Sequence, residues 1–348
     1  MFIFHFTAFL LAHAATPTDA PGQFQGDIAI RSFSTGITDS MYERGQVVGA
    51  RDNFKQTVQI YGEVGLINEI SLAMAIPYSF ESLSFSNIST MQFDHTITTG
   101  SYINAEPTAD IETIGSGLEG AWVGLFLIPF HNKIFAERGD RGSWKVGIGY
   151  RFANANNFIV PNANGKRGSG PVGNGFTFHG AFSGTKPIGD PYLVVDLEIG
   201  GRWEGETRDN NGNILDRDAE LRSSNHAIFR PGLEVDMWKD EAFGSYVTLD
   251  LYSKFGYHGW RDITSGVMLP NVLEAYENLT ITQGELLELN AGLGINTQFN
   301  SLYVFRVSGE YGFRSPQRIE HLYQVDTMGS QQWSVNVEFK FRYRNSAI

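Results

Sequence analysis

The chain has 348 residues, a net charge of -12 and no cysteine. The acidic balance excludes a sequence-independent grip on nucleic acid, which needs clustered Lys and Arg against phosphate. The missing thiols exclude disulfides, thiolate metal sites and a Cys nucleophile.

Residues 1–14 run apolar from Phe2 to Ala12 and end in Ala12-His13-Ala14, a small-x-small triplet. This predicts a secretory signal peptide cut after Ala14, with 15–348 as the exported domain. No Lys or Arg precedes the apolar run, so the terminal amine alone supplies its positive charge. The longest apolar run beyond it, Ala121 to Phe130, is too short for a membrane helix, which needs about 20 residues. Any crossing of a membrane must therefore use strands.

Segments of alternating polarity recur along the chain, and side chains on a strand point to opposite faces with a period of two. The first, about Phe24 to Phe33, sets Ile28 and Ile30 against Asp27 and Arg31. A polar stretch, Ser34 to about Gln56, reads as a loop. The second segment, Thr57 to Gly65, sets Val58, Ile60 and Val64 against Gln59, Tyr61 and Glu63, and a tight turn joins it to the third, Ile70 to Glu81. After a polar segment, Ser82 to Ser116, the fourth strand near Leu118 to His131 alternates poorly, and its pattern does not fix which face is which. The fifth, Ser143 to Phe152, and the sixth, Asn174 to Ser183, lie on either side of a Gly- and Asn-rich loop.

In the seventh, Tyr192 to Glu204, Asp196, Glu198 and Arg202 oppose Leu193, Val195, Leu197 and Ile199. The eighth, His226 to Met237, carries Arg230 and Glu234 on its polar face, and the ninth, Ser245 to His258, carries Asp250 and Lys254. Leu286 to Phe299 is the tenth. The eleventh, Leu302 to Phe313, carries Arg306 and Glu310. In the last, Trp333 to Arg344, Trp333, Val335, Val337, Phe339, Phe341 and Tyr343 alternate with polar residues that include Glu338, Lys340 and Arg342.

The segments number about twelve, an even count, and the connections after even-numbered strands are short while those after odd-numbered ones are long. That is the layout of an antiparallel up-and-down transmembrane β-barrel with both ends in the periplasm. A soluble sandwich has no reason to sort its loops by strand parity. Lipid accounts for the apolar faces, and strands in hydrocarbon must close on themselves to leave no open edge. The last strand is then expected to pair with the first near Ile28 and Ile30. Aromatic residues near strand ends, among them Tyr78, Phe80, Trp203, Trp238, Tyr257, Trp260, Phe313 and Trp333, fit interfacial girdles.

The polar-face charges Glu63, Asp196, Glu198, Arg202, Arg230, Glu234, Asp250, Lys254, Arg306, Glu310, Glu338 and Lys340 are expected to line the lumen together. They either line a selective passage or neutralise one another and fill a closed barrel. Gly115 to Gly120 satisfies G-x-G-x-x-G, yet no strand-to-helix context surrounds it and Pro129 interrupts the apolar run after it. The acidic stretch Asp209 to Glu220 lacks the glycine that a calcium loop needs at its sixth position, where Ile214 stands. It reads as a surface loop able to meet divalent cations on lipopolysaccharide. No catalytic set, metal ligand set or cofactor motif is expected. Ser224 and His226, two apart on one strand, form the one enzyme alternative, a lipid hydrolase without an assignable third group.

Three stretches add a family resemblance. Ile60 to Tyr78, with its Tyr-Gly strand end, short turn and Pro-Tyr close, resembles outer-membrane transporter-like barrels of the phenol-degradation meta-pathway family. Gly115 to Leu125 looks like that family's Gly-x-Gly-Asp strand opening, although Glu119 stands one residue after the place of the Asp. Gly173 to Pro191 is similar to its sixth-strand hairpin. The resemblance spans about Tyr61 to Glu204. It implies an outer-membrane protein of porin-like kind that passes small, often hydrophobic, compounds and has no catalytic residues. The final strand also looks like the C-terminal signal read by the barrel-assembly machinery, with Arg344 to Ile348 extending past it. The expected partners are outer-membrane lipid and lipopolysaccharide, that machinery and a small-molecule solute. The alternative is a structural barrel, or one whose outer loops bind a partner, that transports nothing.

Overall fold

The computed structural model describes residues 21–43, 46–86, 111–118, 120–128, 141–152, 175–204, 222–240, 242–259, 261–265, 279–283, 285–320 and 324–343. The predicted signal peptide lies outside them. The described residues contain sixteen strands and no helix. In chain order the strands are β1 (Gly26–Glu43), β2 (Gln46–Ile67), β3 (Ile70–Ser86), β4 (Ile111–Leu118), β5 (Trp122–Leu127), β6 (Arg141–Arg151), β7 (Gly175–Pro187) and β8 (Tyr192–Glu204). They continue as β9 (Arg222–Asp240), β10 (Ser245–His258), β11 (Arg261–Ser265), β12 (Leu279–Gln283), β13 (Leu286–Phe299), β14 (Tyr303–Arg314), β15 (Gln317–Glu320) and β16 (Gln324–Tyr343).

Twelve of them, β1, β2, β3, β5 to β10, β13, β14 and β16, form a closed antiparallel barrel. The last stave returns to the first, with Ile28 opposite Phe341 and Ile30 opposite Phe339. The expected seam is therefore present. Closure satisfies every edge, which hydrocarbon demands.

Four short strands prolong the wall at the long-connection end. β4 pairs with β3 from Tyr78 to Phe85, while β11, β12 and β15 ladder onto the start of β16. Here the expectations from sequence need correction. Ser34 to Gln56, expected as a loop, forms the upper parts of β1 and β2, which reach 18 and 22 residues. The stretch 259–283 contains β11 and β12, and β16 begins at Gln324 rather than Trp333. Ser82–Ser116 loses its ends to β3 and β4, and the expected fourth strand is broken near Gly120 into β4 and β5. About 9–11 residues span the hydrocarbon. Beyond it the outer face meets water and carries polar residues such as Thr38 and Asp52, so there is no apolar alternation to read.

Within the membrane zone the alternation is faithful. Ile28, Ile30, Val58 and Ile60 are exposed on the outer wall, while Asp27, Ala29, Arg31, Gln59, Tyr61 and Glu63 are buried inside. β5 settles the facing left open by its sequence: Val123, Leu125 and Leu127 point out, and Trp122, Phe126 and Ile128 point in. Aromatics ring both ends of the apolar band. On β16, Trp333 marks one end and Tyr343 the other. The ten steps from one to the other, at ~3.4 Å each and a tilt of ~40°, give roughly 25 Å of height. Of the predicted girdle residues, Tyr78, Phe80, Trp238, Tyr257, Phe313 and Trp333 are exposed on the wall, and the side chains of Trp203 and Trp260 lie outside the described residues.

Among the described residues, tight turns join β2 to β3, β7 to β8 and β13 to β14 at the other end. Asn300 and Ser301 both have positive φ, 49° and 54°, the signature of a hairpin turn whose twist matches its strands. Ser301 N–H donates to Gly244 O in the neighbouring turn at 3.2 Å.

The seam depends on one glycine. A Cβ on Gly36 would land on the Trp333 indole, which lies flat across β1 and reaches the Phe54 ring at 5.9 Å. Gly36→Val is expected to lower stability by about 1–3 kcal/mol, the usual range for overpacking. Urea unfolding in phospholipid micelles measures the loss, and adding Trp333→Ala should recover much of it. Equal losses in both backgrounds would show that the indole is not the obstacle.

Candidate functional site

The barrel interior is the candidate site, and alternation alone decides which side chains reach it. All twelve predicted charges lie in staves: Glu63 on β2, Asp196, Glu198 and Arg202 on β8, Arg230 and Glu234 on β9, Asp250 and Lys254 on β10, Arg306 and Glu310 on β14, and Glu338 and Lys340 on β16. Arg202 faces Thr177 and Ser224 in the ladder, and its side chain lies outside the described residues. The others share the lumen face, and the structure gathers most of them into pairs.

At the short-turn end two carboxylates act as hubs. Glu63 receives Lys145 Nζ at 2.8 and 2.9 Å on its two oxygens, together with hydrogen bonds donated by Tyr61 Oη and Ser71 Oγ. Glu338 collects Arg31 Nε at 3.3 Å, Arg306 Nη1 at 3.5 Å and Lys340 Nζ at 3.6 Å. Lys340 also lies 3.7 Å from Asp27. Beside these hubs the lumen is filled by an apolar cluster of Ala29, Tyr61, Ala73, Ala75, Trp122 and Phe126. Glu63, Lys145, Glu338, Lys340 and Arg342 are each no more than 5% exposed. The low exposure decides that this level of the barrel is packed with side chains.

Further toward the long-connection end the packing loosens. Arg230 holds Asp196 with Nη2 at 2.9 Å and Nε at 3.2 Å, with its guanidinium 4.5 Å over the Tyr252 ring. Lys254 lies 3.3 Å from Glu310 and 3.8 Å from Glu288. Glu310 also accepts from Tyr252 Oη at 3.1 Å. His258 and Arg314 approach Glu288 at 3.4 and 3.5 Å, and His179 and His226 approach Glu198 at 3.5 and 3.6 Å. Between these pairs lies a cavity of about 120 Å³. Phe33, Ile37 and Lys55 form one wall, Glu198, Ile228 and Arg230 another, with Glu288 and Arg314 toward the long-connection end. Its charges are matched by close partners, so it offers a passing molecule paired ions, hydroxyls and amides, with apolar surface on opposite walls.

Sequence reasoning missed several contributors. Arg31, Lys145, Glu288 and Arg314 sit at polar parity on their staves, so the same count would have found them. Tyr61 and Tyr252 stand at the same polar parity, whereas Trp122 and Phe126 gave no such signal, because an aromatic ring suits lipid and lumen equally. The enzyme alternative gains nothing: the His226 imidazole faces Glu198 inside the lumen, away from lipid, and the Ser224 side chain lies outside the described residues. The Gly115 to Gly120 motif falls across the end of β4 and leads to another strand, not to a helix N-terminus that could hold a pyrophosphate. Among the described residues no group of three or more His, Asp or Glu could hold a metal ion.

A closed wall with a lipid-facing exterior and a charged interior defines a transmembrane β-barrel. No family model matches the chain, and no curated protein does. Among solved structures it is similar to an outer membrane channel from Pseudomonas putida F1, at 13% identity and a TM-score of 0.51, covering 94% of this chain and 97% of that one. A Pseudomonas aeruginosa FadL homologue aligns at 9% identity and a TM-score of 0.38, covering 91% and 90%. The P. putida toluene transporter TodX aligns at 10% and 0.35, covering 94% and 91%. The first likeness bears on the fold alone.

Proposed function

We propose that this protein is an outer-membrane channel for passive uptake or exchange of small molecules, hydrophobic ones among them. The observation that carries this reading is the cavity held among the charge pairs of the inner wall. A barrel with no solute to pass has no need of such a space midway along a neutralised lumen. The family resemblance of Ile60 to Tyr78 and of Gly173 to Pro191, and the fold likeness to an outer membrane channel, support the same reading. Export by the segment 1–14, insertion by the barrel-assembly machinery and contact of the outer loops with lipopolysaccharide belong to it as proposals.

Purified protein reconstituted in liposomes tests it. Solute-driven swelling above that of empty vesicles is expected for small sugars and for aromatic alcohols. Absent flux, with the barrel shown folded by heat-modifiable gel mobility, sinks the channel. That result would leave the structural or partner-binding barrel, which the packed ion pairs of the short-turn end favour.

A further inference from the structure

We propose that Lys145 and Glu63 form the gate of this lumen. They are the breakable link in a bar of paired side chains that shuts the barrel below its cavity. The proposal rests on the channel reading.

The bar is continuous. It begins at Glu338 on β16, which is held by Arg306 of β14 and by Arg31 of β1 at 3.5 and 3.3 Å. The Arg31 guanidinium lies 4.0 Å over the Tyr61 ring of β2. Tyr61 Oη donates to Glu63, and Glu63 receives Lys145 from β6. Staves on both sides of the seam are thus tied together at one level, and the members of the bar are nearly without solvent contact.

Its links are unequal. Glu338 has three cations, so losing one leaves it compensated. Glu63 is anchored to its own side of the barrel by Tyr61 and by Ser71 of β3. Lys145 reaches it from β6, beyond β3 and β5 in the wall. A lysine ammonium is a point charge on a flexible four-carbon stem, able to swing where a forked guanidinium would stay fixed. It also touches a second partner on its own side. Its Nζ lies 4.3 Å from the centroid of the Phe126 ring, whose face attracts a cation that leaves a carboxylate. Parting Lys145 from Glu63 therefore strands neither group completely, and it opens the bar where it crosses from one wall to another.

Single-channel recording in planar bilayers tests the gate, with Lys145→Met, Glu63→Gln and the double variant beside the parent. Each single variant should raise open-state current or open probability on the order of tenfold, since a charged pair at a constriction governs passage. In a salt gradient the reversal potential should move toward cation selectivity for Lys145→Met and toward anion selectivity for Glu63→Gln. A merely loosened barrel would not shift the two in opposite directions. The double variant, with both charges gone and volumes kept, should conduct like the singles with little selectivity shift, and it carries the test if a single variant does not fold. A parent that passes solute in liposomes yet carries no ionic current, beside conducting variants, also supports the gate. A conducting parent matched by every variant, with no shift in reversal potential, overturns the gate and leaves the channel standing. Silence in all four folded proteins overturns both.

Discussion

Glu338→Ala is expected to lower the stability of the folded barrel by about 3–5 kcal/mol, the range for removing one partner of a buried ion pair. The size reflects the cations left behind. Arg31 keeps the Tyr61 ring, at 4.0 Å from its guanidinium, and Lys340 keeps Asp27 at 3.7 Å. Arg306 loses the carboxylate at 3.5 Å in a site where both side chains are less than a tenth exposed. Three positive groups then face one another at one level of the lumen. Urea unfolding in bilayers, followed by tryptophan fluorescence, measures the loss. Glu338→Gln, which keeps the shape and accepts hydrogen bonds, should lose less, and adding Arg306→Met to Glu338→Ala should recover part of the deficit. A loss under ~1 kcal/mol, the value of a solvated surface pair, would mean that water fills this level of the lumen.

Ile148→Arg should cost about 2–4 kcal/mol, the value for a basic residue on the lipid face near the bilayer midplane. Ile148 is 69% exposed, sits opposite Leu125 and Phe178 in the ladders, and lies between Trp144 and Tyr150 along β6. Its neighbours on the outer wall are apolar, so the guanidinium would have to reach several residues to find water. Ile148→Leu serves as the control and should change stability by under ~1 kcal/mol. The contrast separates a lipid-facing wall from a water-facing one, because in water the arginine would be the better tolerated of the two. Equal stability of both variants in bilayers would argue that this wall does not meet hydrocarbon.

The membrane zone was legible because two solvents act on its two faces. Lipid outside and paired charge inside force a period of two, and that period placed Glu63, Asp196, Glu198, Lys254 and Glu338 on the lumen side with no contact known. Where the outer face meets water rather than lipid the same physics is silent, and Ser34 to Gln56, with Thr38 and Asp52 exposed outside and Asp39 and Asn53 buried inside, therefore read as a loop although it belongs to β1 and β2. β5 resisted for a different reason. Its inner face carries Trp122 and Phe126, which pack over Gly149 and Gly147 of β6, where side chains would collide with the rings. An aromatic plug on one wall looks, in one dimension, like a wall facing lipid. The pairings were beyond reach for a further reason: Lys145 meets Glu63 across two intervening staves, and spacing along a single strand says nothing of what stands across a lumen.

The seam between β1 and β16 also bears on the order of events in assembly. It joins opposite ends of the chain, so it is the contact with the greatest loop entropy and the last that can form. Until then every intermediate presents two unpaired edges, which hydrocarbon does not tolerate and which other chains can capture. A barrel sealed this way has no safe resting point short of completion. A chain stalled before the final strand is accordingly expected to keep both edges open and to lack a closed lumen.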